Sequence, residues 1–166
     1  AALPEGVQPT LMTDRGLAMI WVAAKGRGGE DLFDPGLAPR DGDYKQYFNG
    51  DINALHASYY RRNPGEIEFR TCNLRKSHGF HLVAQGGDPL PDAKYALEPY
   101  RVEIVKSGPH VRFAINDIVL FHWVDDGEST GPVLTDGKIG FRQMAYLMAE
   151  YADLKVHRVK PMDGNG

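Results

Sequence analysis

The stretch 110–124, HVRFAINDIVLFHWV, constrains the fold of this chain more than any other. Val111, Phe113 and Ile115 share one parity, against Arg112, Ala114 and Asn116. Beyond Asn116-Asp117 the alternation resumes, with Ile118, Leu120 and His122 opposite Val119, Phe121 and Trp123. Period-two alternation rich in β-branched and aromatic residues is the pattern of half-buried strands. Asn and Asp tolerate the left-handed backbone of a two-residue connection, so Asn116-Asp117 predicts a hairpin corner. Upstream, 100–106 (YRVEIVK) alternates in the same way and ends at Ser107-Gly108-Pro109, a second turn signal. Three consecutive antiparallel strands make a meander, and a meander this regular predicts an all-β chain.

Length and composition bound the rest. At 166 residues the chain reads as a single domain with one core, 1–166, with a loop-like leader over 1–15 and a flexible tail over 160–166. A net charge of -3 with interleaved signs gives no electrostatic case for nucleic acid or an anionic membrane. No apolar run approaches the roughly 20 residues of a membrane helix, so the chain reads as soluble, cytoplasmic or periplasmic. Cys72 is the only cysteine, which excludes an internal disulfide.

The remaining strands follow in order. Residues 17–24 (LAMIWVAA) suit a strand buried on both faces, although the alanines also permit a short buried helix. Residues 30–51 form a long polar excursion, and loops of that length inside compact domains are often functional. As a strand, 52–62 puts His56, Ser58, Tyr60 and Arg62 on one face and Leu55, Ala57 and Tyr59 on the other. Residues 66–74 alternate, Arg75-Lys76-Ser77 reads as a basic corner, and 80–85 is a short strand carrying His81, Val83 and Gln85 on one face. After the meander, 138–143 reads as a strand. Residues 143–154 have strong local helix propensity, and 154–159 alternate again.

The familiar catalytic motifs are missing: there is no Walker loop, GxSxG elbow, HExxH or GxGxxG. Glu30-Asp31 with Asp34 reads as a solvated acidic loop, and Asp125-Asp126 as support for a turn; no metal site is predicted. His56 with Tyr60 and Arg62 combines proton transfer with carboxylate binding, against the plainer reading of a solvated sheet face. His81 and Gln85, with Arg75 and Lys76 just upstream, suit a polyhydroxylated or anionic ligand. Trp21, Trp123 and the tyrosines are able to stack on sugar rings, though buried aromatics are commoner.

GRGGEDLFDP at 26–35, GDINALHASYYRR at 50–62, TCNLRKSHGFHLVAQGGDP at 71–89 and GKIGFRQMAYLMAEYADLKVH at 137–157 resemble the bacterial YesU-like family, whose function is unassigned. The resemblance implies a concanavalin A-like β-jelly-roll sandwich, in genomic settings devoted to acidic plant or algal polysaccharides. It also implies loop plus strand rather than helix over 143–154, where the family pattern often has Pro at the position of Tyr146. The family has further strands before the position of Leu17. The sandwich is accordingly expected to be incomplete at its N-terminus, with an open sheet edge that favours a homo-oligomer.

Two functions follow as expectations. The first is β-elimination, by a lyase or dehydratase, on uronic-acid-containing oligosaccharides without a cofactor. His56 or His81 would be the base and Tyr60 the acid or second base, while Arg75, Lys76, Gln85 and Arg142 would hold the substrate carboxylate. The second is a non-catalytic carbohydrate-binding module. In either case the partner is an oligosaccharide or polysaccharide, and His56, Tyr60, Arg75, His81, Gln85 and Arg142 are expected on one concave sheet face bordered by the 30–51 loop.

Overall fold

The computed structural model describes residues 16–62, 70–92, 95–96, 98–144 and 147–159. Its strands are β1 (Gly16–Gly26), β2 (Ile52–Arg62), β3 (Thr71–Ser77), β4 (His81–Gly87), β5 (Val102–Ser107), β6 (His110–Ile115), β7 (Ile118–Val124) and β8 (Lys138–Met144). They form a five-stranded sheet, ordered β4-β3-β2-β1-β8, and a three-stranded sheet, β5-β6-β7. Every strand pairing is antiparallel. Among the described residues no helix is long and apolar enough to cross a membrane.

The sequence signals explain the arrangement. The meander is the second sheet, and Asn116 and Asp117 turn its hairpin at φ 47° and 67°. The apolar run 17–24 is strand β1, with β2 and β8 on either side, so both its faces are covered. Ala18, Ile20 and Val22 join the core between the sheets, and Met19, Trp21 and Ala24 join a second cluster on the opposite face. Phe113 anchors the core, 5.3 Å from Phe121 and 5.8 Å from Tyr59 between ring centroids. Truncating such a ring to alanine costs about 3–5 kcal/mol. The two sheets close on each other where Gly86 of β4 meets the carbonyl of Leu120 in β7, an approach that leaves no room for a Cβ.

Two local expectations are corrected. Arg75, Lys76 and Ser77 do not form a corner but complete β3, because their backbone pairs with 54–56 of β2. Residues 154–159 are not a strand despite their alternation. They lie exposed, with no neighbouring strand among the described residues to bind their backbone. The helix that local propensity favoured over 143–154 is absent where the chain is described, with β8 running to Met144 and irregular backbone from Leu147. Residues 66–69, read above as part of a strand, lie outside the described residues.

Candidate functional site

The face of the large sheet that points away from the smaller sheet carries the polar side chains. Along β2, Leu55, Ala57 and Tyr59 enter the core between the sheets, which turns Ala54, His56 and Ser58 to the other side. Cross-strand pairing extends that face: Arg75 lies opposite His56, Ser77 opposite Ala54, and Asn73 opposite Ser58. On the other flank Trp21 is paired with His56, and Arg142 of β8 with Met19.

The polar excursion folds back over this face as a cover. Its one regular element is a 3-10 turn, Tyr44–Tyr47, whose first backbone amides are capped by Asp43. Tyr44 and Tyr47 pack against Met19, Trp21, Ala24 and Ala54. Arg40 braces the loop internally, donating to the Leu32 carbonyl and pairing with Asp51 at 3.7 Å. The Asp51 carboxylate accepts from the Ala38 amide at 2.6 Å.

His56 lies beneath this cover with 1% of its surface exposed. Its ring stacks on Trp21 at 4.3 Å and 8°, with Phe80 at 5.9 Å and Tyr44 edge-on at 6.4 Å. Burial, then the positive charges of Arg75 and Arg142, push its pKa down to about 3. The imidazole is therefore neutral at physiological pH. Burial also pushes the Tyr44 hydroxyl up to about 12, against the pull of Arg75, Arg142 and Arg61.

Two guanidinium groups flank the histidine. Arg75 lies 3.9 Å over the Phe80 ring and donates to the Phe80 carbonyl at 2.9 Å. Arg142 lies 4.8 Å from the Tyr47 centroid and 5.1 Å from that of Tyr44, and donates to the Gly42 carbonyl at 2.7 Å. Neither has a carboxylate partner among the described residues. On this same face His56 Nε2, Ser77 Oγ and Arg142 Nε are buried without hydrogen-bond partners. Each such group costs about 1–3 kcal/mol when left unpaired.

Beside the histidine, between the cover and β8, opens a cleft of about 570 Å³ lined by Trp21, Leu32, Pro35, Tyr47, Gly140 and Arg142, among others. Its lining is mostly apolar, with Asp34 and two cations, Arg142 and the Asp51-paired Arg40, at its wall, and its volume is within the usual roughly 300–1,000 Å³ of a small-ligand site.

The family described as a domain of unknown function, DUF1961, matches residues 8–156. The chain belongs to this family. It is similar to the uncharacterized protein YesU of Bacillus subtilis (strain 168), 56% identical over 144 residues that cover 86% of this chain and 66% of that one. It is also similar to a crystal structure, from Bacillus subtilis, of a protein of unknown function with a galectin-like fold. That match has a TM-score of 0.77 at 57% identity and covers 80% of this chain and 60% of the other. The architecture is thus a galectin-like, jelly-roll β-sandwich, as the resemblance implied. The chain spans less than two thirds of the length of these relatives.

Within this member of the family, the residues read from the sequence divide. His56, Arg75 and Arg142 come together, and Gln85 shares their face, its amide 2.8 Å from that of Asn73. Tyr60 does not join them. A bulge reverses parity there, with Tyr60 at φ 49°, and both Tyr59 and Tyr60 enter the core. Val83 is the extra residue of a second bulge, so His81 and Gln85 take opposite faces: His81 pairs with Lys76, Gln85 with Asn73. Lys76 points into the space between the sheets, buried against Asp125 at 2.7 Å and the Gly131 carbonyl at 2.7 Å. Bulges are the feature that strict alternation cannot foresee.

Sequence reading missed Phe80 and Phe33 as site residues, and named the tyrosines only as a group without singling out Tyr44 and Tyr47. A signal was present: a polar excursion carrying Phe33, Tyr44, Tyr47 and Phe48 is too aromatic for a solvated loop.

Proposed function

We propose that this domain binds an acidic saccharide, with the ligand carboxylate held by Arg142 and the sugar ring against the aromatic wall of the cleft. The observation that carries this reading is the Arg142 guanidinium, stacked on two tyrosines at the cleft wall with no carboxylate of its own. Arg142 donates one Nη2 hydrogen to the Gly42 carbonyl, which together with the tyrosine rings fixes its position before binding and leaves Nη1 to donate to a carboxylate. Tyr47, half-buried on the cleft wall, supplies apolar surface for a pyranose ring, backed by the buried Trp21. Arg75, on the same face of the sheet, adds positive potential.

The catalytic form of the reading is β-elimination on a uronic-acid sugar, by a lyase or dehydratase, with the arginines neutralising the carboxylate. What favours it is the unpartnered Nε2 of a neutral imidazole between two guanidiniums. Its weakness is base strength, since a proton acceptor with a pKa of about 3 drives proton abstraction poorly near neutrality. Tyr44, held protonated, is a donor rather than a second base. Binding without turnover therefore stands first.

Titration calorimetry with galacturonate, mannuronate, galactose and mannose tests both forms. Binding of the acids over the neutral sugars, lost in Arg142→Gln, supports the reading, and equal affinity for acid and neutral sugar removes it. Incubation with uronate oligosaccharides decides catalysis: growth of the ultraviolet absorbance of an unsaturated product would establish elimination, and an unchanged spectrum would establish a binding module.

A further inference from the structure

The cleft beside Arg142 does not end there. A second hollow of about 390 Å³ continues from it, the two sharing Ala24 and Leu32 as common wall. Its other walls are Lys25, Asp31, Asp136, Gly137 and Lys138. The shape at the junction is set by the backbone. β1 bulges at Ala23, which takes φ 52°, and Gly137 at φ 148° lies so close to Ala23 and Ala24 that a side chain there would collide with them. The edge of the sheet is thereby drawn in, and the floor of the groove runs on past Trp21.

Phe33 of the first hollow and Lys138 of the second meet where the two hollows join. Phe33 is 76% exposed, an aromatic plane standing in water on the wall of the first hollow. Lys138 Nζ lies 5.9 Å from the Phe33 centroid and 2.9 Å from the Asp31 carboxylate. The second hollow is thus lined with cations that are already paired, Lys138 with Asp31 and Lys25 with Asp136. Exposed pairs of this kind are worth about 0–1 kcal/mol, so an incoming carboxylate exchanges with Asp31 at small cost.

Resting on the reading of Arg142 as a carboxylate receptor, we infer that Phe33 and Lys138 form a second sugar subsite and that the ligand is a chain of at least two uronic-acid units. The first unit occupies the hollow at Trp21 and Arg142. The next stacks on Phe33 and presents its carboxylate to Lys138, displacing Asp31. The ring-and-cation pairing repeats what the first hollow offers with Tyr47 and Arg142, which is what a repeating polymer of one acidic sugar requires.

The test is a length series: galacturonic acid and its 1,4-linked dimer and trimer, with the mannuronate series in parallel, titrated against the unmodified chain and four variants. Affinity should rise about tenfold or more from monomer to dimer in at least one series, the scale of one ring stack with a weak charge contact. Lys138→Met should remove most of that gain while leaving monomer affinity unchanged, and Phe33→Ala, on the wall of the first hollow, should lower dimer affinity more than monomer affinity. Asp31→Asn, which frees Lys138, should raise dimer affinity alone. Arg142→Gln should weaken all lengths together. Equal affinity at every length, with Arg142 still required, overturns the second subsite and leaves the first intact. A length gain indifferent to Phe33 and Lys138 also overturns it. Absence of binding by any uronate removes the underlying reading and the subsite with it.

Discussion

The two faces of the five-stranded sheet bury charge in opposite ways. On the inner face, Lys76 and Asp125 form an ion pair with 2% of each side chain exposed, and the Gly131 carbonyl takes a further hydrogen bond from the ammonium. On the covered outer face, Arg75 and Arg142 have aromatic rings and carbonyls as neighbours but no carboxylate among the described residues, and a neutral histidine lies between them. Inside a fold, cations without counter-charges and polar atoms without partners are costs that packing alone does not explain. The inner pair is closed on itself and belongs to the architecture. On the reading proposed above, the outer face is the one that receives an anion.

The contrast breaks most sharply at Lys76. Replacing it by alanine strands Asp125 in the space between the sheets and should cost about 3–5 kcal/mol in chemical denaturation. The double replacement Lys76→Met with Asp125→Leu should restore most of that loss, since matched apolar side chains replace buried pairs well. If Lys76→Ala instead left stability intact and removed saccharide binding, the division between the faces would collapse.

Arg142 should behave in reverse. Arg142→Gln removes a charged donor, so uronate affinity should fall roughly ten- to hundredfold, corresponding to about 1.5–3 kcal/mol. The denaturation midpoint should move much less than for Lys76→Ala, because no buried counter-charge is abandoned. A thermal melt run beside each titration makes the comparison.

How far the sequence anticipates this division depends on the kind of signal. Alternation and turn chemistry locate the strands and the Asn116-Asp117 hairpin, because side-chain periodicity and left-handed tolerance are local properties. Alternation also places His56 correctly on its face, and stops being valid at the first bulge, as Tyr60 and His81 show. Lys76 illustrates a different limit. Its parity with Leu74 was readable, but a lysine on an apolar face makes sense only with Asp125, which is 49 residues away in sequence. The aromatic cover over His56 likewise arises from tertiary folding of the excursion, for which no periodic pattern exists.

The next test uses pH. His56 remains neutral in the folded chain down to about pH 3, whereas in the unfolded chain it titrates near its ordinary 6.5. Below about pH 6.5 the unfolded state binds the extra proton, so stability falls as pH drops from 6.5 towards 3 and this contribution is constant above it. The slope from this one residue approaches about 1.4 kcal/mol per pH unit. His56→Phe should remove that part of the slope in denaturation curves taken between pH 4 and 7. An unchanged slope would mean that the imidazole is reached by solvent and that the cover opens readily.

The smallest effect is expected at Ser77, and it bears directly on why the outer face carries polar groups. Its hydroxyl is buried and unpartnered, on the same face as His56 and Arg142. A hydroxyl that contributes a structural hydrogen bond loses about 1 kcal/mol on removal, while one that is merely desolvated loses nothing or gains. Ser77→Ala should therefore leave the denaturation midpoint unchanged or raise it by less than about 1 kcal/mol. Ser58, whose hydroxyl lies 3.4 Å from the Asn73 carbonyl in the middle of the same face, is the internal control and should lose stability on the same replacement. If both serines behave alike and both destabilise, the outer face is an ordinary hydrogen-bonded layer and the contrast with the Lys76 side is one of degree. If Ser77→Ala is neutral while Ser58→Ala is not, then the unpaired groups of that face are retained for contacts that folding does not make.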